Sequence, residues 1–145
     1  MRITIEPPDE GQEDEIIIKC ANIDDELMAF LESLKNGTNK IPAHSETGIT
    51  MLSPQDVFYF ESVDNKTFVY MEKSVFEVKK KLYELEMDYA NTNFLRISKS
   101  IILNISKIVH LRPLLYGRFE GELKNGEKII ISRQYMGDLR RKLGL

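Results

Sequence analysis

The chain has 145 residues, 42% of them hydrophobic and 30% charged, which suits one folded domain with a short appendage. Its longest apolar runs, such as Ile101-Ile102-Leu103 and Ile129-Ile130-Ile131, are far too short to cross a bilayer, and nothing after Met1 reads as a secretory stretch. Net charge is only −3, but it is unevenly spread: residues 1–46 hold 4 Lys+Arg against 11 Asp+Glu, whereas from Thr92 onward the count is 11 against 4. Such asymmetry is what a chain shows when one part meets a polyanion and another does something else; two merely solvated faces would give it equally well. The single cysteine, Cys20, excludes an internal disulfide and a zinc centre of several thiolates, and implies a reducing, cytoplasmic setting.

Along the chain, Arg2-Ile3-Thr4-Ile5-Glu6 alternates with period two and predicts a strand. Pro7 to Gln12 breaks it as an acidic loop, and Glu15 to Cys20 reads as a second strand. Asp24-Asp25-Glu26 opens a helix, because carboxylates favour the positive end of the helix dipole. Leu27, Phe30, Leu31 and Leu34 form its apolar face, and Asn36-Gly37 closes it. The expected organisation is therefore an acidic β-β-α extension over residues 1–40 and a second domain over 41–145.

After Lys40 the texture changes to short strands with turn signals between them. Ile41 to His44 and Gly48 to Leu52 flank a turn at Ser45-Glu46-Thr47. Ser53-Pro54-Gln55-Asp56 looks like one capped helical turn. Val57 to Glu61 and Thr67 to Met71 are strands around the turn Asp64-Asn65-Lys66, Val75 to Val78 is another, and Lys80 to Met87 is a short helix with Leu82 and Leu85 inward. Arg118 to Leu123 and Lys128 to Ser132 flank Lys124-Asn125-Gly126-Glu127, where Asn-Gly predicts a hairpin with positive φ at both residues. Tyr135 to Leu143 predicts a final helix with Met136, Leu139 and Leu143 on one side. The fold class is mainly β (α+β), and no pair of helices reads as a helix-turn-helix.

Chemistry is sparse. His44 and His110 are isolated, no nucleophile has a base at a recognisable spacing, and no Gly-rich loop precedes a helix, so neither an enzyme nor a cofactor is expected. Three clusters carry cations beside hydroxyls. Lys66 and Thr67 end a turn; Arg96, Ser98, Lys99 and Ser100, with Asn104 after them, sit between apolar runs; Ser132, Arg133 and Gln134 mark the change from strand to helix. An arginine in such a place can address a guanine edge, while hydroxyls and N–H groups at a helix start can hold phosphate. By residue type alone each reads first as a solvated loop and only second as a binding site.

These parts, in this order, resemble the LytTR family of bacterial DNA-binding domains. The resemblance runs from about Ile49 to Leu143 and rests on Pro54-Gln55-Asp56-Val57-Phe58-Tyr59-Phe60-Glu61, Leu82-Tyr83-Glu84-Leu85-Glu86, Phe94-Leu95-Arg96-Ile97-Ser98-Lys99-Ser100, Ile102-Leu103-Asn104 with Ile108, and Leu123-Lys124-Asn125-Gly126 leading to Ile131-Ser132-Arg133-Gln134-Tyr135 and Leu139. It implies elongated antiparallel β sheets with short helices, whose loops enter successive major grooves of double-stranded DNA. Contacts would lie at Lys66 and Thr67, at Ser98, Lys99 and Ser100, and at Arg133. The family often has His-Arg or His-Asn before the serine of the middle motif, where this chain has Ser98-Lys99. Asn104 is read first as a brace of its loop. The roughly 45 residues ahead of the resemblance are too few for a phosphorylated receiver domain, so direct control by aspartate phosphorylation is not expected; the extension is expected to pair two protomers as a homodimer or to meet a regulatory protein. The competing reading is an interaction module that works through this acidic section without DNA.

Overall fold

The structure, a computed structural model, describes residues 4–35 and 40–145, without the side chains of residues 33–35. The chain divides into two compact units, Met1–Gly37 and Thr38–Leu145. In the first, helix α1 spans Asp25–Lys35. Asp24 precedes it, and its carboxylate accepts the Leu27 N–H at 2.8 Å, which satisfies one of the donors that a helix start leaves open. The strand expected at Glu15 to Cys20 does not form: the segment is irregular, and Ile16 and Ile17 are exposed. Strand propensity needs a ladder partner to act on, and this unit has none among the described residues. The Arg2 to Glu6 strand falls partly outside the described residues, and Thr4 to Glu6 are irregular. The Leu34 side chain and the Asn36-Gly37 helix stop lie outside them too.

The second unit is built from ten strands: β1 Ile41–Ser45, β2 Gly48–Leu52, β3 Tyr59–Val63, β4 Lys66–Tyr70, β5 Val75–Val78, β6 Phe94–Arg96, β7 Ile101–Asn104, β8 Ile108–Pro113, β9 Phe119–Leu123 and β10 Lys128–Ile131. Helix α2, Leu82–Asp88, follows β5, and α3, Met136–Leu143, follows β10. The first seven strands make one sheet in the order β2-β1-β5-β4-β3-β7-β6, and the last three a second in the order β10-β9-β8. Every strand pairing in both is antiparallel.

Alternation along the central strands feeds two cores. On one face of the large sheet Phe60, Val69 and Ile102 pack with Leu82 and Leu85 of α2. On the other, Tyr59, Leu103 and Ile97 pack with Leu123, Ile129 and Ile131 of the small sheet and with Met136 and Leu139 of α3. A sheet covered on both faces explains why Val57 to Phe60 are buried without a polar gap. Phe60→Ala should cost about 3–5 kcal/mol, measurable as a fall in denaturant midpoint, because a fully buried ring leaves a cavity that its neighbours cannot fill.

Several local readings are refined. Ser53 occupies the cap position of the helical turn Pro54–Asp56 without capping it; its hydroxyl meets Lys40 Nζ at 2.5 Å instead. The Asp64-Asn65 turn has both residues at positive φ, 51° and 63°, with Val63 opposite Lys66, as a two-residue hairpin requires. The Asn125-Gly126 hairpin differs from expectation, because only Gly126 has positive φ, 84°. There Gly126 N–H returns to Leu123 O and Glu127 O accepts from Leu123 N–H, a three-residue loop closed by a glycine bulge. Leu143, expected inward, is in the last turn of α3 and exposed.

Candidate nucleic-acid interface

The register of the large sheet brings separate segments to one end. Strand β3 runs toward Val63, and β7 starts antiparallel to it with Ile101 opposite Glu61. The loop from Ile97 to Ser100 therefore lies beside the Asp64-Asn65 turn, and Ser62 N–H donates to Ser100 O at 2.8 Å. Strand β5 ends at the same place, with Val78 opposite Thr67. A third loop joins through the small sheet: where β10 gives way to α3, Ser132 N–H donates to Ile97 O at 2.9 Å. That N–H, one of those read as available for phosphate, is thus committed to holding two loops together.

Lys66, Lys99 and Arg133 are exposed, and none makes an ion pair with a described residue. Arg133 lies along the β8–β9 connection. A Cβ on Gly117 would stand 3.1 Å from both Cγ and Cδ of the arginine, so the absence of a side chain there lets the aliphatic stem lie close to the backbone. Ser98 and Ser132 line one groove of about 430 Å³ together with Tyr59, Glu61, Glu127 and Lys128.

Three of the residues singled out by sequence have inward duties. Thr67 is 3% exposed, because alternation along β4 turns it to the opposite face from Lys66. Arg96 has a side chain only 18% exposed; its guanidinium donates to Ser98 O at 2.8 Å, to Lys99 O at 2.5 Å and to the Glu86 carboxylate at 2.9 Å. It holds the shape of the loop that carries Lys99. Asn104 is 2% exposed, donates to Val57 O at 2.8 Å, and accepts from the N–H and hydroxyl of Ser106 at 3.2 and 2.7 Å. Gln134 is exposed beside Arg133. Sequence reading passed over Lys79, Lys80 and Lys81, which follow β5 at this same end. Lys81 donates to Asn65 O at 3.1 Å, so it clasps the first loop. Lys79 and Lys80 pair with Glu77 and Asp88. The run of three lysines was the available signal.

The groove floor links the two sheets. The Tyr59 hydroxyl donates to Glu127 at 2.6 Å, the Tyr70 hydroxyl donates to Glu61 at 3.1 Å, and the two rings stack at 4.3 Å. Burial first, then the Glu127 hydrogen bond, pushes the Tyr59 phenol far above its ordinary value; burial and the Glu61 charge raise Tyr70. Burial also pushes Tyr89, behind α2, up to about 12. A raised phenol contributes stability that is present below the ordinary value of 10.0 and is lost as pH climbs through the folded value. Circular dichroism against pH should therefore show stability falling above about pH 10, and Tyr59→Phe should flatten that fall.

Helices α2 and α3 are separated by β6–β10, so the described residues contain no helix-turn-helix. The cation-bearing elements are loops and strand ends.

Residues 47–144 match the LytTr DNA-binding domain family. Sensory transduction protein LytT of Enterococcus faecalis is 28% identical over 105 residues, 72% of this chain and 43% of that protein. LytT of Bacillus subtilis is 21% identical over 137 residues, covering 94% of this chain and 57% of its own. An uncharacterized HTH-type transcriptional regulator of Staphylococcus aureus is 24% identical over 132 residues, 90% of this chain and 89% of its own. The chain therefore spans only about half the length of the LytT proteins it matches. A solved LytTr DNA-binding domain from Bacillus cereus is similar at a TM-score of 0.70 and 28% identity, over 75% of this chain and 100% of that one. Matched over more than half of its residues, the chain belongs to the LytTr DNA-binding domain family.

Proposed function

We propose that the chain is a transcriptional regulator that reads duplex DNA in the major groove through the loop end of its large sheet. The observation that carries this reading is the Ser132–Ile97 hydrogen bond, which fixes the loop of Arg133 against the loop of Lys99. Arg133 is assigned to a base edge, where its planar fork can make two parallel hydrogen bonds. Lys66 and Lys99 are assigned to phosphates on either side, with the hydroxyls of Ser98, Ser100 and Ser132 and the amide of Gln134 beside them. Thr67, Arg96 and Asn104 serve as supports that hold those loops, and not as contacts. We assign the chain no enzymatic step and place it in the cytoplasm.

Each phosphate neutralised releases counterions, so the logarithm of affinity should fall linearly with that of salt, at a slope of about −0.9 per contact. Fluorescence anisotropy with a duplex recovered by the chain from a random-sequence pool measures this directly. Lys99→Ala should weaken all duplexes alike and flatten the slope by about one. A salt-independent affinity would contradict the reading.

The first unit is acidic and leaves Ile16, Ile17 and Met28 exposed. We assign this surface to pairing with a second copy of the chain, a regulatory protein being the other occupant. Sedimentation should show a dimer, and Ile17→Glu should return it to monomer.

A further inference from the structure

The connection between β8 and β9 is short and closed. Pro113 faces Phe119 on the last rung, and Leu114 N–H donates to Arg118 O at 2.9 Å. Inside it Tyr116 sits at φ 64°, ψ 32°, a left-handed conformation that a side chain bearing a Cβ adopts at a cost. The ring receives nothing in return from the folded chain: Tyr116 is 82% exposed and Leu115 beside it 75%. Two large apolar side chains, adjacent, almost fully in water and one of them strained, are what a contact surface looks like before its partner arrives.

The surroundings say which partner. Gly117, the next residue, lies beneath the stem of Arg133, where a Cβ would stand 3.1 Å from the arginine's Cγ and Cδ. The loop is thus continuous with the side chain assigned above to a base edge. Arg118 donates its Nε to Leu115 O at 3.3 Å, and the Arg140 guanidinium lies 5.6 Å from the Phe119 ring centre at the loop's root. From Pro113 to Phe119 the sequence has no acidic residue. An apolar pair framed by arginines fits a surface that alternates apolar sugar with anionic phosphate.

We propose that Leu115 and Tyr116 form a further DNA-contacting point, pressing on the deoxyribose of the strand that flanks the groove entered by Arg133, with the Tyr116 hydroxyl donating to a phosphate oxygen. This rests on the DNA-reading role of Arg133. Sugars and phosphates are the same at every base pair, so the contact adds affinity without sequence preference. It also accounts for the strain: the backbone turn that costs stability is the one that aims the ring outward.

The test uses the full chain and two duplexes, one recovered from a random-sequence pool and one with that sequence shuffled. Tyr116→Asn keeps a residue that accepts the left-handed conformation, so its melting temperature should equal or exceed that of the unsubstituted chain. Its affinity should fall about tenfold for both duplexes, with their ratio unchanged. Leu115→Ser should act in the same direction, whereas Arg133→Ala should collapse the ratio. If Tyr116→Asn and Leu115→Ser bind both duplexes as the unsubstituted chain does while Arg133→Ala still loses preference, this contact is overturned and the base-reading role stands. Unsubstituted chain that binds neither duplex overturns both. A variant that changes the oligomeric state at unaltered DNA affinity overturns the contact in favour of a second copy of the chain.

Discussion

Arg133→Ala is expected to leave the chain fully folded and to remove about 1–3 kcal/mol of specific DNA affinity, a loss of about five- to a hundred-and-fifty-fold confined to one base position. The side chain carries little of the fold. It is exposed, it makes no ion pair with a described residue, and its aliphatic stem lies over Gly117. Removing it therefore exposes little apolar surface and leaves no buried group unpaired. A guanidinium whose stem is held against a backbone loses less freedom on binding than one that swings in solvent, which favours a base contact over a loose phosphate contact. Competition with single-base variants of the selected duplex is the check. Discrimination should vanish at one position and persist at the others. Gly117→Ala is the companion. Its φ of +72° disfavours any side chain, and the new methyl would meet the arginine stem at 3.1 Å. It should cost about 1 kcal/mol of stability and blunt the same base preference.

The second large effect is on stability. Asn104→Ala should destabilise the domain by about 2–4 kcal/mol, a fall in melting temperature of roughly 10–20 °C for a unit of this size. The side chain bridges Val57 O to the N–H and hydroxyl of Ser106, inside a site 2% exposed. Without it the Val57 carbonyl loses its partner inside the core, where water cannot reach it without opening the packing, whereas the N–H of exposed Ser106 can turn to solvent. Differential scanning calorimetry measures the fall. At a temperature where the variant is folded, its DNA affinity should stay close to that of the unsubstituted chain. A variant with unchanged melting temperature and lost affinity would make Asn104 a DNA contact and remove its role as a brace. Arg96→Ala belongs between these two cases. It frees two loop carbonyls and the Glu86 carboxylate, so it should lower stability modestly, by about 1–2 kcal/mol, and weaken all duplexes together through disorder of the Lys99 loop.

What the sequence disclosed follows the range of the interaction concerned. The Asp64-Asn65 turn and the strands around it were legible because side-chain type sets a local backbone preference there. Lys66 and Thr67 stand side by side in the sequence and face apart in space, because adjacent residues of a strand point to opposite faces. Strand β8 carries His110 and Arg112 among its apolar residues and has no sharp turn signal at its start, so only its pairing with β9 reveals it. Glu15 to Cys20 shows the converse, with strand propensity present and no ladder to join. Gly117 beneath Arg133, Lys81 on Asn65 and Arg96 on two carbonyls are contacts that pattern cannot express, because each depends on where a distant or irregular backbone passes. The candidate cations could be read as types, and Asn104 as a brace; the other contacts that hold their loops could not.

The most direct test of one DNA-reading end is a titration of isotope-labelled full chain with the selected duplex, followed by amide NMR. The account predicts that perturbed amides gather at residues 64–66, 98–100 and 132–134, with a further set at 115–118. Perturbations centred on the exposed edge strand Gly48–Leu52 or on α1, with those loops silent, would contradict it.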